Sequence, residues 1–374
     1  MKIGILTHFH KSTNYGGVLQ AYALCKYLND HGHSARQILY QHTVTKINTA
    51  SVTPKEYVSK VVSRLKKQLY KKENQNIQKR MESLFWDFRD RVPHTFHEYT
   101  KDTIGDVAND FDAFITGSDQ VWNPIWYDSS YMLDFVREAT PKISYAASIG
   151  VGNLDREQQE IFRQLKGFRA ISVREKAAAN LLPPLVGQEV KVCVDPTLLL
   201  SADDWDGIAS ERKIDEKYVF LYFLGDDTKC RRLAQQFAKA KGMKLVLLPD
   251  LLGTYRKNDR KIHAEKVMDA TPGDFVSLIK HGEYIFTDSF HACVFSLLYH
   301  KEFFAFPRAG AIQMESRIQT LTELFACPER FCADKKKRTL AHLLSLDAMD
   351  YTRMCDLFIK EKQKSMEYLE NNLH

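Results

Sequence analysis

The stretch Tyr284-Ile285-Phe286-Thr287-Asp288-Ser289-Phe290-His291-Ala292, continued by Cys293 to Leu298, constrains the fold of this chain most tightly. Tyr284 to Phe286 read as a short buried strand. Thr287, Asp288 and Ser289 are turn and cap formers. Ala292, Val294, Phe295, Leu297 and Leu298 then read as a buried helix. His291 therefore falls in the first helical turn after a strand. In an open parallel α/β sheet, ligands bind outside the carboxyl ends of the strands. The amides of a helix start favour anions there, and an imidazole in that place can transfer a proton. The plainer alternative is a capped helix whose histidine bonds a loop carbonyl.

The rest of the chain repeats the strand–loop–helix pattern. Ile3 to Thr7 predicts a first strand, and Val18, Leu19, Ala21, Tyr22, Leu24 and Leu28 mark an amphipathic helix. Between them, Gly16-Gly17 lets backbone approach a ligand closely at the helix start. The loop is not GxGxxG, so no dinucleotide is implied. His8 and His10 invite a metal reading, but no Cys or acidic residue stands nearby in sequence, and no metal is expected. Further strands are expected at Ala35–Tyr40, Phe111–Thr116, Lys142–Ser148, Ala170–Val173 and Val190–Val194. A crossover is expected around 195–215. A second set follows at Tyr218–Phe223, Lys244–Leu248, Tyr284–Phe286 and Phe303–Phe306. This is an α/β chain of two Rossmann-like domains with parallel sheets and a cleft between them. The expected domains are 1–200 and 215–345, the second with His291. A charged helix over 350–374 should pack back across both.

With 374 residues, 44% of them apolar and 27% charged, the chain is long enough for two cores. A formal net charge of +6 permits anionic partners without demanding them. The seven cysteines are scattered with no CxxC pair, which suits reduced thiols in the cytoplasm. The apolar run at the N-terminus is too short for a signal peptide. No stretch approaches the ~20 apolar residues of a membrane span.

Three further segments carry candidate chemistry. Gly117-Ser118-Asp119-Gln120-Val121-Trp122-Asn123 follows a buried strand. Trp122 could stack on a pyranose while Asp119 and Asn123 bond its hydroxyls; otherwise Trp122 fills a gap in the core. Arg174, at the end of the Ala170–Val173 strand, could clamp a carboxylate or phosphate, or pair with Glu175 or another neighbour. Over 54–80, Tyr57, Val58, Val61, Val62, Leu65 and Leu69 recur at helical spacing among Lys60, Arg64, Lys66, Lys67, Lys71 and Lys72. This basic amphipathic helix either packs on the protein or docks on anionic lipid headgroups through residues 57–72. Phe85, Trp86 and Phe88 should continue as a core-facing helix. Nucleic-acid binding is not expected, because the basic residues lack interleaved aromatic platforms.

Taken in order, Asn14-Tyr15-Gly16-Gly17 with Leu19-Gln20-Ala21, Gly117-Ser118-Asp119-Gln120, Ser144-Tyr145-Ala146, Ser172-Val173-Arg174-Glu175, Asp195-Pro196-Thr197 and Thr287-Asp288-Ser289-Phe290-His291 resemble the polysaccharide pyruvyl transferase family. The resemblance covers roughly residues 3–325. It implies a glycosyltransferase-B-like architecture with the active site in the interdomain cleft. It implies a cytoplasmic bacterial enzyme that moves the enolpyruvyl unit of phosphoenolpyruvate onto a sugar as a ketal. The product would serve a surface polysaccharide such as a capsule or exopolysaccharide, and no cofactor is needed. The family's donor-site histidine falls on His291 and its arginine on Arg174. Some members carry Arg-Leu-His where this chain has Ser289-Phe290-His291. Lys301, Arg308 or Arg317 would then supply the charge missing at 289, beside Ser289 and Phe290 themselves. The acceptor, free or lipid-linked, would meet Asn14, Tyr15, Gly16, Gly17, Ser118, Asp119, Gln120, Trp122 and Asn123. Two rival functions share this fold: a glycosyltransferase that uses a nucleotide sugar, and a carbohydrate-binding relative without turnover.

Overall fold

The computed structural model describes residues 1–43, 71–251, 255–308 and 315–373. Most of the basic helix expected over 54–80, including residues 57–70, lies outside these.

Two all-parallel sheets organise the chain. The first contains β1 (Lys2–Leu6), β2 (Ser34–Tyr40), β3 (His94–Tyr99), β4 (Ala113–Thr116), β5 (Lys142–Ala147), β6 (Ala170–Val173) and β7 (Val190–Val192), in the order β3-β2-β1-β4-β5-β6-β7. The second contains β8 (Tyr218–Tyr222), β9 (Lys244–Leu247), β10 (Glu265–Lys266), β11 (Tyr284–Thr287) and β12 (Glu302–Ala305), in the order β10-β9-β8-β11-β12. Each strand order reverses beside its own first strand, between β1 and β4 and between β8 and β11. Crevices for ligands open at such reversals, at the carboxyl ends of the strands.

Strand periodicity explains the layering. Ile3, Ile5, Ala113 and Ile115 share one apolar cluster with Phe220 and Tyr222, so this core runs continuously from one sheet to the other. Leu6, Phe114 and Ile171 point the opposite way, into a second cluster. Val219, Leu221 and Phe286 point into a third. Strands buried on both faces read as unbroken apolar runs, and β4 and β8 are buried at every position.

The helices used below are α1 (Tyr15–Asp30), α2 (Lys71–Asp90), α3 (Thr228–Ala240), α4 (Pro272–His281), α5 (Phe290–Leu298), α6 (Glu315–Leu324) and α7 (Tyr351–Asn372). α1 joins the two halves: Tyr15 stacks on Phe275 of α4 with ring centroids 5.0 Å apart, and its Oη donates to the Ala270 carbonyl at 2.9 Å. α7 touches both halves. Tyr368 Oη donates to Ser144 O at 2.9 Å, while Phe358 meets Phe325.

Two strands are absent from the sequence expectations. β3 is an edge strand whose exposed Phe96 breaks the apolar alternation, and β10 has two residues. α2 departs in another way. Phe85 and Phe88 are buried, but Trp86 is 63% exposed, so it does not face the core.

Candidate active site

The turn after β11 is stitched at three points. Thr287 Oγ1 donates to Tyr222 O at 2.7 Å, tying β11 to β8. The Asp288 carboxylate accepts from the amides of Leu224 and Gly225 at 2.6 and 2.8 Å. Ser289 caps α5, its Oγ accepting from Ala292 N at 3.4 Å. Asp and Ser suit these places because short polar side chains can satisfy turn and helix-start amides. His291 is thereby fixed in the first turn of α5, as the sequence pattern predicts.

His291 meets residues from the other half of the molecule. Its Nε2 lies 3.5 Å from Asp195 Oδ2. The other oxygen of Asp195 accepts from Thr197 N at 3.1 Å and Thr197 Oγ1 at 2.7 Å. Oδ2 also accepts from Arg174 Nη1 at 2.7 Å and Ser118 Oγ at 3.4 Å. Arg174 reaches Asp119 at 3.5 Å as well, and its guanidinium covers the Phe290 ring at 4.3 Å. Arg317 of α6 approaches the same ring at 5.9 Å. Phe290 is thus a buried plate between a histidine and two guanidinium groups. His291 also packs directly on the Cα of Gly16, at the start of α1.

The electrostatics follow from burial and from these partners. Burial alone would raise the Asp195 carboxyl, but His291 and Arg174 hold it well below the usual carboxylate range. Asp119 is pulled down in the same way by Arg174, His291 and His8. Burial, Arg174 and Arg308 push Arg317 down to about 9, so it stays charged at neutral pH at a cost. An anion would relieve that crowding of like charges. Arg308 Nη2 donates to the Asp288 carbonyl at 3.4 Å, which brings a third guanidinium to the same turn.

The other expected site residues divide. Ser118 and Asp119 are at the site. Gly16 is in contact with His291, and Gly17 follows with its amide donating to the Asn14 Oδ1 cap at 3.1 Å. Gln120 and Asn123 bond each other at 2.8 Å, and Asn123 Oδ1 accepts from Ile125 N. Three assignments need correction. Trp122 is 1% exposed, donates to Tyr131 O at 3.0 Å and packs edge-on against Phe162 and Phe168, so it fills the core and cannot stack on a sugar. Tyr15 is spent on the contact between the halves. Lys301 follows the far end of α5, with Glu283, Arg212 and Lys280 as its charged neighbours, and is not brought to His291. The structural pairing of Arg174 is with Asp195 and Asp119. Glu175 instead accepts from Ser148 Oγ, Ile149 N and Gly150 N at 2.8–3.0 Å.

Sequence reading passed over Asp195 as a site residue. Its signal is present in Asp195-Pro196-Thr197, a carboxylate at a strand end, but a proline after an acid at the start of the expected crossover looks like a turn. The spacing of His8 and His10 suggests metal only, and nothing near His8 in sequence points to the cleft.

Two parallel sheets with reversal points facing a shared cleft define a glycosyltransferase-B-like protein. Solved structures support that class. The UDP co-structure of MnaA from S. aureus aligns with a TM-score of 0.54 at 11% identity, covering 100% of this chain and 96% of that one. The UDP-GlcNAc 2-epimerase of Methanocaldococcus jannaschii aligns at 0.53 and 11% identity, covering 93% and 94%. At such identity the likeness concerns the fold. No curated protein sequence matches the chain. Residues 14–309 match the polysaccharide pyruvyl transferase family, and the chain belongs to it.

Proposed function

We propose that this protein transfers the enolpyruvyl unit of phosphoenolpyruvate to a sugar, forming a pyruvate ketal on a precursor of a bacterial surface polysaccharide. The observation that carries this reading is the His291–Asp195–Arg174 cluster, assembled from both halves of a chain in this family, with Arg317 and Arg308 beside it. Phosphoenolpyruvate brings a carboxylate and a phosphate, and guanidinium groups suit both. Arg174 is already compensated by two carboxylates. It orients Asp195 and Phe290, while Arg317 and Arg308 supply the charge that Ser289 lacks.

The reaction needs one proton on C3 of the donor and two protons removed from sugar hydroxyls. His291 gives the proton to C3, which leaves C2 oxocarbenium-like. A sugar hydroxyl adds to C2, phosphate leaves, and a second hydroxyl closes the ketal. One hydroxyl proton is balanced by the new methyl group and the other by the departing phosphate. No electrons are transferred, so phosphoenolpyruvate is a co-substrate and no cofactor enters. Asp195, 3.5 Å from Nε2, keeps the histidine oriented.

We assign the acceptor to the neighbourhood of Asn14, Gly16, Gly17 and Ser118 to Gln120. We place the enzyme in the cytoplasm, at the inner leaflet where residues 57–72 engage anionic lipid and the acceptor is lipid-linked. Among the described residues no helix is long and apolar enough to cross a membrane. The test is incubation with phosphoenolpyruvate and a panel of lipid-linked and nucleotide-linked sugars, measuring phosphate and product mass. Phosphate release with a gain of one pyruvyl group supports the reading. Nucleotide release from a nucleotide sugar would favour a glycosyltransferase, and sugar binding without turnover would favour a binding protein.

A further inference from the structure

His8 stands two residues beyond β1, at the carboxyl edge where the first sheet reverses. Its Nε2 is buried and has no hydrogen-bond partner. The ring is held on two sides: His42 stacks on it with centroids 5.2 Å apart, and Tyr131 meets it edge-on at 4.9 Å. Both supports are themselves anchored. His42 Nε2 bonds the Trp126 carbonyl at 2.9 Å, and the backbone carbonyl of Tyr131 accepts from Trp122. A buried ring nitrogen left unpaired costs free energy, and such groups in folded proteins mark a missing partner.

The charged neighbours of His8 tie it to the cleft. Asp119 acts on it electrostatically, and so do Asp128 and His42. Asp119 in turn interacts with Arg174 and His291. Asp119 therefore interacts electrostatically with two imidazoles, one from each half of the molecule. Burial outweighs the two carboxylates and pushes His8 down to about 4, so it is neutral across the physiological range.

We propose that His8 is a second catalytic histidine, which binds the acceptor sugar through Nε2 and takes the proton from the attacking hydroxyl. This rests on the pyruvyl transfer proposed above. In the addition step the hydroxyl oxygen bonds to C2 of the protonated donor, its O–H bond breaks, and the proton passes to His8 Nε2. When the product leaves, His8 passes this proton to bulk solvent and His291 regains one from it, while the proton of the second hydroxyl departs with the phosphate. A weak base suffices, because an alcohol adding to an oxocarbenium-like carbon becomes strongly acidic as the bond forms. Neutrality at physiological pH keeps the lone pair available before the step. The two proton-transfer groups are then divided by half: His291 serves the donor and His8 the acceptor.

The test uses the full chain with ¹⁵N-labelled histidine and methyl glycosides of glucose, galactose and N-acetylmannosamine as probes. The His8 Nε2 resonance, assigned by its loss in His8→Gln, should move on addition of a sugar and should not move with phosphoenolpyruvate alone. In turnover, His8→Gln should lose about 10²–10⁴-fold in kcat, with the apparent affinity for phosphoenolpyruvate changed less than twofold. The folded state of the variant is checked by its thermal transition. His8→Asn gives a second replacement should His8→Gln fold poorly. A His8 resonance unmoved by every sugar, or a variant with unchanged kcat, overturns the proposal. Failure of the pyruvyl reading looks different: the wild type releases no phosphate from phosphoenolpyruvate while the His8 resonance still answers to sugar.

Discussion

The imidazole of His291 rests on the bare Cα of Gly16, so that any side chain at 16 would occupy the place of the ring. The helix that opens the first half and the helix that opens the histidine turn therefore meet across the cleft with no room to spare. Gly16→Ala should expel His291 from its position beside Asp195. We expect a loss of at least about 10²-fold in turnover, with a stability cost of roughly 1–3 kcal/mol from overpacking. A double-mutant cycle checks the cause. In a His291→Ala background, Gly16→Ala should cost far less, because the methyl group then fills the vacated space. Equal costs in both backgrounds would mean that the glycine acts elsewhere.

His291→Ala alone should lower turnover at least about 10²-fold while the fold survives, since the Asp195 carboxylate keeps Arg174 and Thr197 as partners. Phosphate release and the thermal transition measure the two effects. An unchanged rate would remove His291 from the chemistry.

The arginines should separate into two kinds. Arg174→Met leaves the Asp195 carboxylate buried without its ion pair, and breaking such a pair typically costs about 3–5 kcal/mol. Arg317→Met should cost less in the free protein: burial, Arg174 and Arg308 oppose its charge while Glu175 and Asp119 favour it, so the thermal transition should fall by less than in Arg174→Met. The same variant should lose the stabilisation that phosphoenolpyruvate gives the wild type. A ligand-induced shift that persists in Arg317→Met would take Arg317 out of the donor site.

Stability should fall with acid in two stages. His8 has a folded pKa below its unfolded value, so the unfolded chain binds more protons between pH 6.5 and about 4, and stability drops across that window as pH falls. Asp119 and Asp195 are also held down, so their contribution is present above their unfolded values near 4 and drains away below that. Urea midpoints against pH should show both slopes in wild type. His8→Gln should flatten the upper one, and an unaltered profile would place the upper slope on other groups.

The basic segment can be tried separately. Each basic residue near an anionic surface contributes about 1 kcal/mol before screening. Flotation with anionic and neutral vesicles should show salt-sensitive attachment of wild type to the anionic ones, reduced when Lys60, Arg64, Lys67 and Lys71 are changed to Glu. Equal, negligible flotation on both vesicle types would leave a soluble acceptor.

What could be read in the sequence was local. The run from Tyr284 to Leu298 shows its strand, caps and helix within fifteen neighbouring residues, so the position of His291 was legible. The two sheets were legible too, because buried parallel strands advertise themselves as apolar runs. Trp122 was not, since its fate depends on Phe162 and Phe168, some 40 residues away in the chain. Trp86 lies in an apolar run with Phe85 and Phe88, and the helix turn that exposes it is set by the packing of Phe85 on Tyr15 and of Phe88 on Tyr22. Asp195 and His8 escaped for a shared reason: each acquires its chemistry from residues that the fold brings from other strands. A carboxylate before a proline looks like punctuation until an arginine and a histidine are laid against it.

The hydrogen bond from Tyr15 to the Ala270 carbonyl has a bearing on timing. It pins the start of α1, and so Gly16, to the half that carries His291. If the halves hinge apart to admit a bulky acceptor, this short segment must travel with one of them. Proton donor and orienting carboxylate are then out of register until the gap shuts again. An enol phosphate bound in the gaping form would meet no assembled acid, and stray water would find nothing activated to attack. Reactivity would be switched on by the same movement that shuts solvent out.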